Sequence, residues 1–292
     1  MKWKGLNKTD VEDYNLDLTF NSGQCFVWKK MDNLWYGSTS EGLIILGQER
    51  TNEILWQTYP MSDNWGLVEK YLRLDFDYNN FANLFKNDNH IAEAIKKYYG
   101  LRLLRQPFYD TVISFIISTN NNIKAIKKNV EKLSFFLGRR IDVRNESFYL
   151  FPTLGCIAGA EITTFTDCSV GYRAPYIHET ASTLLSLNID SFGENEELDR
   201  EKLLKLKGVG NKVADCVLVF ALGYDNVIPL DVWGRRSLVE YYGIDFKMPY
   251  REMEKWAKYK FKGYASWVGQ YLFEYIRMQN AELRTQIAES KV

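Results

Sequence analysis

The sequence predicts an α+β fold, in which a small antiparallel sheet with helices is followed by an all-helical part. Short β-prone segments separated by turn residues lie before residue 50, whereas apolar residues recur at helical spacing from about residue 61 onward. The stretch "LRLLRQP" (101–107) separates the mixed part from one that reads as helical almost throughout. We therefore expect two domains, spanning residues 1–104 and 105–292.

Three β-prone segments make up the predicted sheet: "QCFVWKK" (24–30), "LWYGSTS" (34–40) and "GLIILGQ" (42–48). All three are rich in aromatic, aliphatic or β-branched residues, which favour strands. The turn residues Asp32-Asn33 and Glu41-Gly42 separate them. Because such short turns join strands that are neighbours in a sheet, the segments predict an antiparallel meander.

The helices that follow are delimited by proline, glycine and asparagine. "HIAEAIKKYYG" has helical spacing and is closed by Gly100. Pro107 suits the first position of the helix "FYDTVISFIIS", and the run Asn120-Asn121-Asn122 interrupts the helical pattern after it. Further helices, separated by glycines, are expected to the end of the chain.

Composition limits the chemistry available to the chain. The 37 basic and 37 acidic residues balance, which argues against coating nucleic acid by bulk charge but leaves room for a local basic face. The four cysteines are scattered and only two histidines are present, so we expect no metal site built on these residues. We expect no organic cofactor and no catalytic metal, and an ion that bridges backbone carbonyls and a phosphate stays open. Catalysis must then depend on other side chains.

The N-terminal sequence and the hydropathy predict the location. "MKWKGLNKTD" lacks the apolar core of a signal peptide, and no apolar run reaches the roughly 18 residues of a membrane span. We therefore expect an intracellular protein, found in the cytoplasm. We also expect the protein to be a monomer.

"EKLLKLKGVGNKVADCVL" (201–218) predicts a helix, a tight glycine turn and a second helix. Gly208 and Gly210 are expected to take positive φ and to leave backbone N–H groups uncovered. Such a turn at a helix N-terminus binds anions, and Lys205 and Lys207 add positive charge beside it. This helix-hairpin-helix arrangement holds nucleic-acid backbone without reading bases. A plain helical hairpin with glycines for packing is the alternative.

Lys212 lies in the first turn of the second helix, where the positive end of the helix dipole disfavours a protonated amine. A neutral amine is a nucleophile and can form a Schiff base. Asp231, in "IPLDVW", begins a later helix and could place a fixed carboxylate near it. The alternatives are a phosphate-binding or solvated lysine and a helix N-cap aspartate, and the N-cap is compatible with a catalytic role.

These motifs together resemble the helix-hairpin-helix DNA glycosylases, and closely the 8-oxoguanine DNA glycosylases. "LKGVGNKVADC" and "IPLDVW" carry the resemblance, with "NSGQCFVW", "LRLLRQP", "SFIISTNNNI", "VGYRAPYI" and "YASWVGQYLF" in the expected order. The resemblance covers nearly the whole chain. It implies base-excision repair of double-stranded DNA that contains an oxidised purine.

The resemblance implies a role for each matching residue. Lys212 would attack the sugar C1′ and displace the damaged base, Asp231 would stabilise the positively charged sugar, and the Schiff base would allow strand nicking by β-elimination. The hairpin residues would contact DNA phosphates: Lys207, Gly208, Val209 and Gly210.

The resemblance also implies how the lesion is recognised after it leaves the duplex. Gly23 would accept a hydrogen bond from the N7–H of 8-oxoguanine through its carbonyl, and Phe273 would stack on the base. Cys216 and Gln270 would complete the base pocket. At the space that the lesion leaves in the duplex, Tyr172 would act as the wedge. Asn120 and Arg173 would contact the base opposite the lesion. Read without the resemblance, Tyr172 and Phe273 are ordinary core aromatics, Asn120 ends a helix and Gly23 is a hairpin glycine.

Three positions depart from the family pattern. Ala125 stands where an arginine often contacts the opposite base, and Gly269 stands where a glutamine often lies in the pocket. Gln270 follows one residue later, which turns its side chain by about 100° on a helix. Trp233 replaces a phosphate-contacting histidine. These differences bear on specificity rather than on the lysine chemistry.

Three other functions remain as alternatives. The first is a related glycosylase for another oxidised or ring-opened purine, which Gly269 keeps open. The second is a non-catalytic helix-hairpin-helix protein that binds DNA, which would be expected to lack Lys212 or Asp231. The third is a Schiff-base metabolic enzyme, which would be expected to alternate strands and helices.

Overall fold

The computed structural model describes residues 5–187 and 189–289, so the outermost residues of both predicted domains lie outside it. The first part of the chain contains a five-stranded antiparallel sheet with the strand order β1-β5-β4-β3-β2. Its strands are β1 (Asn7–Asp10), β2 (Trp28–Met31), β3 (Leu34–Thr39), β4 (Gly42–Gly47) and β5 (Glu53–Tyr59). The predicted meander is confirmed as β2-β3-β4, and β1 and β5 extend it.

Fourteen α-helices are assigned within the described residues. They are α1 (Leu16–Asn21), α2 (Trp65–Leu72), α3 (Tyr78–Leu84), α4 (Asn89–Lys97), α5 (Phe108–Ser118), α6 (Ile123–Leu137), α7 (Leu154–Ala158), α8 (Ile162–Asp167), α9 (Ala174–Ser186), α10 (Glu196–Leu204), α11 (Asn211–Val217), α12 (Val232–Tyr242), α13 (Tyr250–Lys260) and α14 (Ala265–Glu289). None of the helices in this part of the chain is both long and apolar enough to cross a membrane.

One β-hairpin interrupts the part of the chain that was expected to be all-helical. It consists of β6 (Arg140–Val143) and β7 (Glu146–Tyr149), and it packs on the five-stranded sheet. The rings of Tyr36 and Phe148 stack with their centroids 4.8 Å apart. Because helices cover the other face of the sheet, every residue of β4 is buried, which explains why its sequence lacks polar alternation.

Helix α5 is the centre of the second half. Nine of its eleven residues are buried, and the polar residues of its sequence are among them. Pro107 is its N-cap residue, one position before the predicted one, and Asn122 caps α6 through a hydrogen bond to the Ala125 N–H. The asparagine run therefore both ends α5 and starts α6, as predicted.

The segment that joins the two halves is held by Gln24. The side-chain amide of Gln24 donates to the Arg102 carbonyl at 2.8 Å, and its oxygen accepts from the Leu104 N–H at 2.8 Å. The Gln106 amide donates to the Gln24 carbonyl at 2.7 Å. These bonds fix the loop before β2, including Gly23, against the helical half. The predicted division at residue 104 falls in this segment and remains a prediction.

Candidate active site

The glycine turn between α10 and α11 is present as predicted, but the conformation of Gly210 and the Val209 N–H differ from the expectation. Gly208 has φ of +78°, and a Cβ there would lie 2.9 Å from Tyr176 Cβ, so the turn requires glycine. Gly210 does not take the expected positive φ, because it is extended with φ −97° and ψ −176° as the N-cap of α11. It makes no side-chain cap and faces open space, which leaves room for a group at the helix N-terminus.

The other two hairpin residues differ in exposure. Val209 is buried in the core, and its N–H bonds to the Leu206 carbonyl at 3.2 Å, so that N–H is not uncovered as expected. The side chain of Lys207 is 60% exposed and lies 4.0 Å from Glu179. The turn therefore offers the charge of Lys207 and the first N–H groups of α11 to an anion.

Lys212 is half-buried in the first turn of α11, as predicted. Its ammonium donates to the Ser118 hydroxyl at 3.2 Å and lies 4.8 Å from the centroid of the Phe115 ring. The Ser118 hydroxyl in turn donates to the Phe115 carbonyl at 2.7 Å. The lysine is thus oriented by the C-terminal turn of α5, which places its amine at a cavity wall.

Asp231 is the N-cap of α12, and its carboxylate accepts from the Gly234 N–H at 2.7 Å. Burial raises the pKa of the Asp231 carboxyl, while the Gly234 N–H and the Lys212 ammonium act in the opposite direction. The capping bond restrains the carboxylate, so the N-cap position predicted for Asp231 and a fixed charge near Lys212 occur together.

One small cavity, of about 60 Å³, brings the predicted catalytic and base-pocket residues together. Its lining includes Gly23, Lys212, Cys216, Asp231, Gln270 and Phe273. Burial raises the pKa of the Cys216 thiol to about 11, so this group is a neutral thiol at physiological pH. The cavity opens beside a cleft of about 680 Å³ that shares Lys212 and Asp231 with it.

Gly23 lines the cavity together with Lys212, and both its backbone conformation and its neighbours disfavour a side chain. Its φ is +79°, and an added Cβ would lie 2.8 Å from Ile123 Cδ1 and 3.6 Å from Phe273 Cε1. The residue before it, Ser22, accepts a hydrogen bond through its carbonyl from the Gln270 amide at 3.0 Å. Gln270 therefore reaches the cavity despite its shifted position, and it holds the loop that presents Gly23.

Gly269 also lines the cavity, and its position packs closely on another element. A Cβ at Gly269 would lie 2.8 Å from Ile228 Cγ1, so a longer side chain there would require Ile228 to move. The absence of a glutamine at this position thus matches the local packing.

Asn120, Tyr172 and Arg173 lie together at the end of α5. Asn120 has φ of +50°, and its amide donates to the Tyr172 hydroxyl at 3.3 Å. Tyr172 is 53% exposed, whereas Arg173 is 8% exposed. The Arg173 guanidinium donates to backbone carbonyls, through Nε to Thr119 at 2.9 Å and through Nη2 to Asn120 at 3.2 Å. In this structure Arg173 therefore supports the asparagine turn, and its contact with an opposite base remains a prediction.

Two residues that face the site were not singled out from the sequence. Ser118 binds the Lys212 amine, and Tyr250 lines the open cleft with its hydroxyl bound to the Leu230 N–H at 3.0 Å. Ser118 lies in the motif "SFIISTNNNI", but a serine in the last turn of a helix commonly bonds a backbone carbonyl and so gives no specific signal. Trp233, by contrast, was singled out from the sequence, and it lines the open cleft.

Among the described residues, no group of three or more His, Cys, Asp or Glu side chains is placed to hold a metal ion. The arrangement instead offers an amine, a restrained carboxylate and a pocket lined by aromatic and backbone groups. An amine and a carboxylate at one pocket suit attack on an electrophilic carbon with stabilisation of positive charge.

Comparison with known proteins places this geometry in a family. Residues 7–112 match the N-terminal domain of 8-oxoguanine DNA glycosylase, and residues 113–262 match the HhH-GPD superfamily of base excision DNA repair proteins. The chain is 30% identical to a probable N-glycosylase/DNA lyase of Methanothermobacter thermautotrophicus, over 91% of this chain and 95% of that protein. It is 31% identical to the N-glycosylase/DNA lyase OGG1 of Arabidopsis thaliana, over 80% of this chain and 67% of that protein.

Two solved structures are similar over nearly the whole chain. MBOgg1 in complex with a low-affinity DNA ligand has a TM-score of 0.87 and 30% identity, covering 94% of this chain and 99% of that one. The Clostridium acetobutylicum 8-oxoguanine glycosylase/lyase, bound to double-stranded DNA with cytosine opposite 8-oxoG, has a TM-score of 0.86 and 26% identity, covering 96% and 100%. The chain therefore belongs to the HhH-GPD superfamily of base excision DNA repair proteins and carries the N-terminal domain of the 8-oxoguanine DNA glycosylases.

Proposed function

We propose that this protein is a bifunctional DNA glycosylase and lyase that excises 8-oxoguanine from double-stranded DNA and nicks the strand. The single observation that carries the proposal is the cavity in which Lys212 and Asp231 meet the predicted base-pocket residues. A DNA-binding protein without catalysis would not require an amine and a restrained carboxylate at the same small cavity. The similarity to N-glycosylase/DNA lyases over most of the chain supports the same function.

In the proposed reaction, the Lys212 ammonium first gives up a proton, and the free amine forms a bond to the sugar C1′ while the bond from C1′ to the base nitrogen breaks; the attacking nitrogen then loses a second proton, which the departing base can accept. The base leaves with the electron pair of that bond and takes up a proton. Asp231 stabilises the positive charge that develops on the sugar, because its carboxylate is held by the Gly234 N–H in a buried position. The sugar ring then opens to a Schiff base with Lys212, and β-elimination breaks the strand on the 3′ side.

The damaged base has to leave the DNA duplex to reach this cavity, and this flipping costs a few kcal/mol. Tyr172, which is exposed, is proposed to act as the wedge at the vacated space, and Asn120, which donates a hydrogen bond to the Tyr172 hydroxyl, is proposed to contact the opposite base. The exposed Lys207 and the N-terminus of α11 are proposed to hold a phosphate nearby. We further propose that the protein acts as a monomer inside the cell.

Lesion recognition in this proposal depends on the position of the Gly23 carbonyl, which an added side chain would displace. Gly23→Ala is therefore expected to lower 8-oxoguanine excision about 10- to 100-fold, which corresponds to roughly 1–3 kcal/mol. The methyl group would meet Ile123 and strain a backbone with φ of +79°. Single-turnover excision and strand nicking at a preformed abasic site are the measurements. Nicking should fall much less, because it needs no base contact.

The matched control is Gly193→Ala, which has a similar backbone (φ +99°) with nothing within 4 Å of the added methyl group. It carries the same kind of strain away from the cavity and should leave excision near the wild-type rate. Equal losses in both variants, or a Gly23→Ala variant with full excision, would argue against recognition by this carbonyl.

A ring-opened or other oxidised purine is the second candidate substrate. Gly269 provides no side-chain amide to the pocket, and the Gln270 amide is engaged with Ser22, so the far edge of the base meets fewer fixed hydrogen-bonding groups. Duplexes that contain one 8-oxoguanine, one ring-opened guanine or no lesion, compared at equal enzyme concentration, distinguish the candidates. Excision of the ring-opened base alone would replace the first proposal by the second.

The base opposite the lesion is expected to matter little. Ala125 offers no hydrogen bond, and the Arg173 guanidinium is engaged with backbone carbonyls. Without a bidentate side chain, excision opposite the four bases should differ by less than about tenfold. Single-turnover rates on four duplexes test this, and Ala125→Arg should raise the preference for cytosine. A wild-type preference above tenfold would contradict the prediction.

A further inference from the structure

The hydroxyl of Tyr250, the first residue of α13, is used as a donor and as an acceptor at once. It donates to the Asp215 carboxylate at 2.5 Å and accepts from the Leu230 N–H at 3.0 Å. Burial raises the pKa of the Tyr250 phenol, so the hydroxyl keeps its proton at physiological pH. A phenolic O–H has one proton and can also accept, so both bonds form at the same time.

The two partners of Tyr250 lie on the two elements that carry the proposed catalytic groups. Asp215 is one turn after Lys212 on α11, and Leu230 is the residue before Asp231. The hydroxyl therefore joins the helix of the amine to the segment of the carboxylate. The Lys212 amine itself is bonded to Ser118 on α5, so its distance from Asp231 depends on how these elements are held together.

The Asp215 end of this connection is held firmly. Asp215 is completely buried and is paired with Arg200, which is itself 2% exposed. Arg200 also bonds Glu254 at 2.6 Å, and Glu254 lies on the next turn of α13 after Tyr250. Because α10, α11 and α13 are thus joined by buried charges, the hydroxyl has a fixed base from which to hold the Leu230 N–H.

We infer that Tyr250 is a positioning residue, whose hydroxyl sets the placement of Asp231 relative to Lys212 by bridging Asp215 and the Leu230 N–H. The inference rests on the proposed lysine chemistry. Displacements of about 1 Å at a reacting centre can cost on the order of a hundredfold in rate. Loss of this one bridge should therefore affect the chemical step more than DNA binding.

The test compares Tyr250→Phe with Tyr242→Phe. Tyr242 is a partly buried tyrosine whose hydroxyl also bonds a carboxylate, Asp88, at 3.2 Å, and it lies at the far end of α12. Four quantities are measured for both variants. They are the single-turnover rate of 8-oxoguanine excision, the rate of borohydride trapping on an abasic duplex, the affinity for a duplex with an uncleavable abasic analogue, and the Tm. Tyr250→Phe should lower excision and trapping by about tenfold or more with affinity within twofold of wild type, and Tyr242→Phe should lower neither.

The outcomes separate positioning from structural support. Tyr250→Phe with wild-type rates would overturn the inference, as would equal losses in both variants or a loss that appears only in affinity. A Tyr250→Phe variant that does not fold would also overturn the inference, because the hydroxyl would then be required for the fold and not only for the placement of Asp231. Trapping of wild type on the abasic duplex without 8-oxoguanine excision would remove the proposed substrate while leaving the Tyr250 comparison valid.

Discussion

Lys212→Gln is expected to abolish base release and strand nicking, with a fall of roughly 10³-fold or more, while DNA binding is retained. Glutamine has nearly the length of lysine but no nucleophilic amine. The amine that is lost contacts the Ser118 hydroxyl and the Phe115 ring, and both groups keep their other contacts without it. The fold should therefore survive, so that the loss of activity reports on chemistry.

Borohydride trapping on a duplex with one 8-oxoguanine opposite cytosine is the decisive measurement. Wild type should form a covalent adduct with the damaged duplex, whereas Lys212→Gln should form none, and an undamaged duplex is the control. Trapping reports the Schiff base directly, because the reductant fixes the bond between the amine and the sugar. An adduct in Lys212→Gln would assign the nucleophile to another residue.

Lys207→Gln is the matched variant for charge. Lys207 is an exposed lysine of the same hairpin, so its loss removes a positive charge near DNA but no proposed nucleophile. It should weaken DNA binding and reduce its salt dependence while the adduct still forms. If both variants lost the adduct only in proportion to their DNA affinity, Lys212 would be a phosphate-binding lysine, which was the alternative function left open by its sequence.

The local features of the fold could be predicted because short-range patterns determine them. The meander followed from turn residues between β-prone segments, and the N-cap at Asp231 and the break at the asparagine run followed from residue types at helix ends. The β6–β7 hairpin was missed because its strands are four residues long and largely exposed. The sequence feature that could have indicated it is the short turn at Arg144 and Asn145, where Asn145 is a residue type that favours turns. Both residues take positive φ in the structure.

Features that depend on distant contacts could not be predicted. The G-V-G spacing did not reveal that Gly208 alone takes positive φ. The sequence placed Arg173 beside the wedge, but the direction of its guanidinium depends on carbonyls more than 50 residues away. Ser118 and Lys212 are 94 residues apart, and only the packing of α5 against α11 brings them together. Side-chain direction at the site is therefore a property of the packed core.

Asp231→Asn is expected to lower the excision rate about a hundredfold or more, while the fold and DNA binding are retained. Asparagine caps a helix as well as aspartate does, so the bond to the Gly234 N–H can persist without the charge. Asp77→Asn is the control, since Asp77 caps α3 through a bond to the Asn80 N–H at 2.9 Å and lies away from the cavity. A wild-type rate in Asp231→Asn would contradict a role for its charge.

The pH dependence distinguishes this charge from a purely structural cap. Burial raises the pKa of Asp231 above its ordinary value, so protonation removes the carboxylate at a higher pH than for an exposed aspartate. The wild-type excision rate should fall on the acid side through that raised pKa, and Asp231→Asn should lack this acid limb. Single-turnover rates between pH 4 and pH 8, with stability checked at each pH, are the measurement.

The same shift predicts the sign of the effect on stability. Because the folded pKa of Asp231 is raised, the native state binds the proton more tightly than the unfolded chain, and the free energy of unfolding falls as pH rises through that window. The ionised carboxylate is therefore a cost to the fold at neutral pH, and Asp231→Asn should equal or exceed the wild type in Tm there. A slower enzyme that is at least as stable would mean that Asp231 is retained for catalysis, whereas a slower and less stable one would mean that the ionised carboxylate stabilises the fold.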